Sequence, residues 1–211
     1  MENVYVKTTL RQFEEKRYLY EKFCVAIYKI LKNTLEDGGY KHQILYRIKE
    51  PHKLEEKLLR KKKEGKIYKS LDEIEDLAGL RIIFYLEGDI PKFINEIRKE
   101  FGGEKKIEEI KKKGGYNATH VVISLGPKRL SMDEYKKFEN LKCEIQLTSI
   151  LHHAWAEIEH DLVYKYGENG NQMNQKEYRT VRKKLKDVLK KYINKAAFEL
   201  ENITKKFRKK R

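Results

Sequence analysis

The sequence predicts an α+β fold, in which strands and helices share a core without alternating regularly along the chain. Several short segments alternate apolar and polar residues, the period-two signature of half-buried strands. Several longer segments space apolar residues three and four apart, as amphipathic helices do. The two kinds follow one another with no βαβ rhythm, and helical segments stand at both ends.

The elements follow in order. From about Leu10 to Leu35, the residues Leu10, Phe13, Arg17, Tyr20, Phe23, Ile27, Ile30 and Leu31 keep helical spacing, and the glycines of EDGGY stop the helix. HQILYRIK, His42 to Lys49, alternates as a strand that Pro51 ends. LEEKLLRKKKEG, Leu54 to Gly65, is a short basic helix, and SLDEIEDLAG holds a helical turn capped by Ser70 or Asp72. LRIIFYL, Leu80 to Leu86, is the clearest strand. Pro91 opens a helix to about Phe101, which Gly102 and Gly103 close. Lys111 to Leu125 reads as a basic, glycine-bearing loop that enters a strand over HVVISL. Cys143, Ile145 and Leu147 then alternate with Glu144, Gln146 and Thr148 as a strand. From Ser149 the residues Leu151, Ala154, Trp155, Ile158 and Leu162 form the stripe of a helix. A last helical region runs from about Gln175 to the end. The expected division is a helical extension over 1–39, a central domain over 40–170 and a basic C-terminal helix over 171–211.

A chain of 211 residues is long enough to bury a real core. Charged residues make up 38% of it and the net charge is +15. From Arg182 to Arg211, thirteen Lys and Arg face three acids, a local balance of +10. Such a surplus attracts polyanions such as nucleic acid, nucleotides or an anionic membrane, although Lys-rich helices also serve solubility alone. Cys24 and Cys143 stand apart among apolar neighbours and read as reduced core residues. No apolar run approaches a membrane span and no signal-peptide pattern opens the chain, so a cytoplasmic protein with no membrane partner is expected.

Four short pieces put charge on or beside strands, where a core disfavours it. Arg47 and Lys49 share a strand face in YRIK, and Lys57 and Arg60 lie one turn apart in EKLLR. Asp76 and Arg81 flank the glycine of DLAGLR, and Glu144 and Gln146 share a face in EIQ. Each alone is ordinary surface chemistry. Together they suit the handling of a nucleoside triphosphate. Several cations match its phosphates, Arg also stacks on a base, and two carboxylates suit Mg²⁺. His153, Glu157, His160 and Tyr164 fall on the polar side of the helix that follows. Their spacing matches no zinc motif, so a solvated or hydrogen-bonded face is expected there.

The order YRIK, EKLLR, DLAGLRI, GGYNATH, EIQ, then HAWAEIEH with YK, over about residues 40 to 166, resembles the synthetase domain of the RelA/SpoT family of alarmone synthetases. The resemblance implies a mixed sheet of nucleotidyltransferase type flanked by helices. It also implies an enzyme that moves the β,γ-pyrophosphate of ATP to a ribose 3′-hydroxyl. By the same resemblance Arg47 and Arg81 sandwich adenine, and Lys49, Lys57 and Arg60 hold the ATP phosphates. Asp76 binds Mg²⁺, and Glu144 binds it too or accepts the 3′-hydroxyl proton. Tyr116 stacks on the acceptor base with His120 and Gln146 nearby, while Glu159, His160 and Tyr164 shape the site around a core Trp155. The hydrolase half and the C-terminal regulatory domains of long family members are expected to be absent.

The acceptor is less clear from the residues. Family members that make alarmones read close to GYRSLH and EIQIRT, where this chain has GYNATH and EIQLTS, so Thr148 stands in place of an arginine. That loss, with the basic C-terminal surplus, favours the 3′-CCA end of tRNA, the acceptor of toxic family members that block aminoacylation and for which a neutralising antitoxin is a partner. Arg182, Lys183, Lys184, Lys186, Lys190 and Lys191 would then track the acceptor stem. GDP or GTP, giving an alarmone of the stringent response, is the alternative, and an inactive RNA-binding protein on the same fold is the third. A homo-oligomer is compatible with each.

Overall fold

Five strands pair into one mixed sheet in the order β1-β2-β5-β4-β3. This computed structural model describes residues 2–102, 106–111, 117–163 and 174–208. A long helix α1 (Glu2–Asp37) leads into β1 (His42–Ile48) and α2 (Pro51–Lys63). After a 3-10 turn at Leu71–Glu73 come β2 (Ala78–Phe84), a second such turn at Glu87–Asp89, and α3 (Ile90–Phe101). The strands β3 (Lys106–Lys111) and β4 (Asn117–Ile123), the short helices α4 (Pro127–Leu130) and α5 (Asp133–Lys136), β5 (Cys143–Ser149) and α6 (Ile150–Glu159) follow. Then α7 (Gln175–Val188) passes through a π-helical turn at Leu189–Ile193 into α8 (Asn194–Arg208). All strand pairs are antiparallel except β2 with β5. The α+β expectation thus describes the molecule.

The period-two pattern decides the two faces of the sheet. Cys143, Ile145 and Leu147 of β5, Ala78, Leu80 and Ile82 of β2, and Val121 and Ile123 of β4 are buried in one apolar cluster. Helix α1 lays Phe13, Tyr20, Phe23, Cys24, Ile27, Leu31 and Leu35 into the same cluster, all essentially inaccessible to solvent. Leu54 and Leu58 of α2 and Phe93 and Ile97 of α3 complete it. Each such side chain contributes about 1.5–3 kcal/mol by leaving water. The N-terminal helix is therefore part of the core that supports the sheet. Cys24 and Cys143 are buried and unbridged, and the Cys24 thiol donates to the carbonyls of Gly79 and Arg47, under the strands that carry the opposite face.

Several boundaries differ from expectation for local reasons. Pro51 does not merely end β1 but opens α2, where its missing N–H costs nothing. The strand expected at Leu80 begins at Ala78, because Lys49 N–H and β1 pair with the backbone upstream. Ser70 takes the N-cap place of the first 3-10 turn, yet its side chain makes no capping bond. Ser149 does cap α6, accepting from the His152 N–H, and Gly102 ends α3 in a left-handed conformation, φ 72°. The last helical region is broken by one π turn around the buried Leu189. Among the described residues no helix is long and apolar enough to cross a membrane.

Candidate active site

On the face of the sheet away from α1, the register sets charged residues side by side. Residues paired across neighbouring strands point to the same side. One row runs Arg47, Gly79, Glu144, and the next runs Leu45, Arg81, Gln146, His120. A cleft of about 320 Å³ opens over these rows and is lined by Arg47, Asp76, Gly79, Arg81, Glu144 and Gln146, with Leu45 and Tyr46 at the β1 edge. That volume is at the lower end of small-molecule sites, roughly 300–1,000 Å³. Gly79 sits between Arg47 and Glu144. A Cβ there would lie 3.7 Å from the Glu144 carbonyl and 3.8 Å from Arg47 Cγ, so larger side chains would fill the floor of the cleft.

Asp76 precedes β2 and receives two cations. Lys49 Nζ donates to Oδ2 at 2.8 Å from the end of β1, and Lys57 Nζ donates to Oδ1 at 2.7 Å from α2. Burial disfavours the charged form of Asp76, but Lys57 and Lys49 more than offset it and hold the carboxyl below its usual range. Glu144 is balanced in the same way by other partners. Burial raises its pKa and Asp76 adds to that, while the His120 and Gln146 hydrogen bonds and the His120 charge lower it, leaving it below the usual value. His120 Nδ1 lies 3.0 Å from Oε1, and Gln146 Nε2 donates to Oε2 at 3.0 Å. The two carboxylates are near enough to act on each other, and both face the cleft.

Gln146 also turns its Oε1 toward Arg81, 3.4 Å from Nε and from Nη2. Arg81 Nη1 donates to Glu157 Oε1 at 2.5 Å, and His153 Nδ1 stands 3.6 Å from that oxygen. Burial first and Arg81 second push the His153 imidazole below its usual pKa. A chain of polar contacts thus runs His153, Glu157, Arg81, Gln146, Glu144, His120 across α6, β2, β5 and β4.

The structure therefore gathers Arg47, Lys49, Lys57, Asp76, Arg81, His120, Glu144 and Gln146 around one opening. Arg60 is turned outward onto Glu64 at 3.1 Å on the exposed side of α2. Glu159 is half-buried, and the exposed His160 lies 3.9 Å from Asp161, so neither lines the cleft. Tyr116 and Tyr164 lie outside the described residues. Arg182, Lys183, Lys184, Lys186, Lys190 and Lys191 are exposed along α7 and the π turn. Trp155 is buried, and its Nε1 donates to the Leu185 carbonyl of α7 at 2.9 Å. Glu157 as partner of Arg81, and Leu45 beside it, were not legible as site residues. Glu157 shows only as an acid on the polar side of a helix, with no local sign of a strand arginine 76 positions earlier.

The carboxylate pair fits a magnesium ion brought with a polyphosphate. Mg²⁺ commonly takes one or two carboxylates and fills its octahedron with phosphate oxygens and water. Asp76 and Glu144 are ionised, hard oxygen donors on one cleft, and among the described residues no group of three or more His, Cys, Asp or Glu could cage a metal by itself.

Comparison with known proteins follows the same stretch of chain. The family described as "Region found in RelA / SpoT proteins" matches residues 46–169. The curated relative "GTP pyrophosphokinase YwaC" of Bacillus subtilis (strain 168) is 30% identical over 125 residues, 56% of this chain and 56% of that protein. The match thus spans about half the length of the curated relative. Among solved structures, small alarmone synthetase 2 from Bacillus subtilis aligns at a TM-score of 0.73 and 21% identity, over 92% of this chain and 99% of that one. Small alarmone synthetase 1 from Bacillus subtilis bound to its product pppGpp aligns at 0.63 and 22%, over 97% and 98%. The family match covers more than half of the chain and takes in Arg47, Lys49, Lys57, Asp76, Arg81, His120, Glu144 and Gln146, and so the chain belongs to the RelA/SpoT family.

Proposed function

We propose that the protein is a pyrophosphokinase that transfers the β,γ-pyrophosphate of ATP to the 3′-hydroxyl of GDP or GTP. The observation that supports this most is the meeting of two ionised carboxylates, Asp76 and Glu144, with Arg47 and Arg81 on one cleft, while Lys49 and Lys57 bond to Asp76. In the reaction the acceptor 3′-oxygen forms a bond to the β-phosphorus, the bond from that phosphorus to the α-phosphate oxygen breaks, and AMP leaves. The hydroxyl proton goes to a base or to solvent. Such transfer asks a protein mainly to position the partners and stabilise spreading charge.

Arg47 and Arg81 bind adenine between their planar groups. Lys49 and Lys57, now shared with Asp76, hold the phosphates, and Arg60 joins them only by leaving Glu64. Asp76 and Glu144 would hold Mg²⁺, which when bound neutralises phosphate charge and orients the in-line displacement. The lowered pKa of Glu144 suits a metal ligand better than a general base, which works best near the operating pH. His120 and Gln146 orient Glu144, and Tyr116 is the stacking residue for the acceptor base.

The acceptor reading moves from tRNA to a guanosine nucleotide. The curated relative is named a GTP pyrophosphokinase, and a solved neighbour carries pppGpp as its product. The exposed cations of α7 support a second reading with the tRNA 3′ end as acceptor. Incubating the protein with γ-labelled ATP and either GDP, GTP, ATP or bulk tRNA separates them. Label is expected on the guanosine nucleotide, label on tRNA alone establishes the second reading, and no labelled product from any acceptor refutes the enzyme.

A further inference from the structure

The guanidinium of Arg81 commits its edge to two neighbours. Nε and Nη2 face Gln146 Oε1 at 3.4 Å, and Nη1 donates to Glu157 Oε1 at 2.5 Å. All guanidinium donors lie in the plane of the group. Held from both sides along that edge, the group has its flat face left for the cleft, which is the surface that stacks on a nucleobase. Gln146 belongs to the neighbouring strand β5, whereas Glu157 reaches in from α6. Glu157 is 57% exposed and does not line the cleft, so neither packing nor ligand contact accounts for its place.

We propose that Glu157 is a positioning residue for ATP, fixing through its bond to Arg81 the plane against which the adenine stacks. The proposal rests on the reading of Arg81 as a base-stacking residue. Of its two supports, the bonds to Gln146 are long, so the guanidinium turns freely about them once Glu157 is gone. The loss falls on the nucleotide donor and leaves the acceptor side alone.

Calorimetric titration of AMPCPP into the full chain, with KM values for ATP and GDP, tests this in Glu157→Ala, Glu157→Gln, Arg81→Ala and the double variant. Glu157→Ala is expected to weaken AMPCPP roughly fivefold, as loss of a partly exposed ion pair does. Arg81→Ala is expected to weaken it roughly tenfold. Glu157→Gln, whose amide oxygen still accepts from Nη1, falls between wild type and Glu157→Ala. The double variant binds no more weakly than Arg81→Ala, because Glu157 acts only through Arg81. The KM for GDP stays at the wild-type value, and melting curves of the two Glu157 variants match wild type. Wild-type affinity in Glu157→Ala, or an equal loss on adding it to Arg81→Ala, overturns the proposal. A wild-type protein that transfers pyrophosphate while Arg81→Ala binds AMPCPP normally overturns the reading of Arg81 instead.

Discussion

Asp76 and Glu144 share a cleft but differ in what holds them, and the difference predicts how their variants behave. Asp76 is clasped by two lysines, whereas Glu144 is bonded to a histidine and an amide. Glu144→Gln keeps the shape and removes the charge, so transfer should fall by at least a hundredfold, judged on the scale of a single lost electrostatic stabiliser, with a smaller drop in melting temperature than Asp76→Asn. Asp76→Asn should be equally inactive but also less stable, since it leaves Lys49 and Lys57, mostly buried, without their counter-ion. Acid titration separates the two effects. Both carboxyls sit below their ordinary pKa in the fold, so the unfolded chain takes up more protons as pH falls, and stability falls with it. Their contribution is complete above about pH 4.5 and is lost as pH drops through the depressed folded values. The melting temperature of Asp76→Asn should therefore fall less steeply than wild type over that acid range; an identical slope would contradict the assignment. The sequence made Asp76, Lys49 and Lys57 visible because charges beside strands are costly without a reason. It could not show that Arg60 turns outward to Glu64, four residues on, because a local helical pair competes for the same side chain.

At the scale of elements, α6 joins the sheet to the C-terminal helices, beside a separate bond from the Gly88 N–H, just after β2, to Glu201 Oε2 of α8. Trp155 and Glu157 lie about 200° apart around it, so the side that meets α7 is the side away from Arg81. A second tie runs from the cap of α6: Ser149 Oγ is 2.7 Å from His152 Nδ1, and His152 Nε2 is 3.1 Å from Asn194 Oδ1 on α8. Trp155→Phe deletes one bond to the Leu185 carbonyl while keeping most of the aromatic bulk, and should cost about 1 kcal/mol in urea unfolding. His152→Ala removes a buried side chain together with its bonds to the buried Ser149 hydroxyl and to the exposed Asn194, and should cost more, about 1–3 kcal/mol. Equal stability of all three proteins would show that α7 and α8 are not held through α6. Elements with a clear apolar period were legible: α3, β2, β5 and α6 lie within a few residues of expectation, and α1 ends where expected but begins at Glu2, eight residues before Leu10. The strand β3 was not, because KIEEIK spaces its isoleucines three apart and so lacks the period-two pattern that marks a strand. The short helices α4 and α5 carry no period at four residues each.

For the whole molecule the open quantity is charge, +15 overall, and how much of it serves the reaction. A field of that sign draws any polyphosphate toward the protein, but salt near the physiological level screens exposed charges beyond about 8 Å. The cations that bear on transfer to a nucleotide are then those at the cleft. The α7 cations belong to the helix that meets α6 on the side away from Arg81, and none of them lines the cleft. Replacing Lys183, Lys184, Lys190 and Lys191 by Glu takes the net charge from +15 to +7 (15 − 8) without touching the core, since all four are exposed. With a guanosine nucleotide as acceptor, the rate at physiological salt should change less than about twofold. With tRNA as acceptor, the same change should remove most of the activity and reduce its dependence on salt by about one unit of log–log slope for each phosphate no longer neutralised. Measuring both acceptors across a salt series with this one variant therefore tells whether the basic helix is a working surface or a solvated one, and the guanosine reading requires the second.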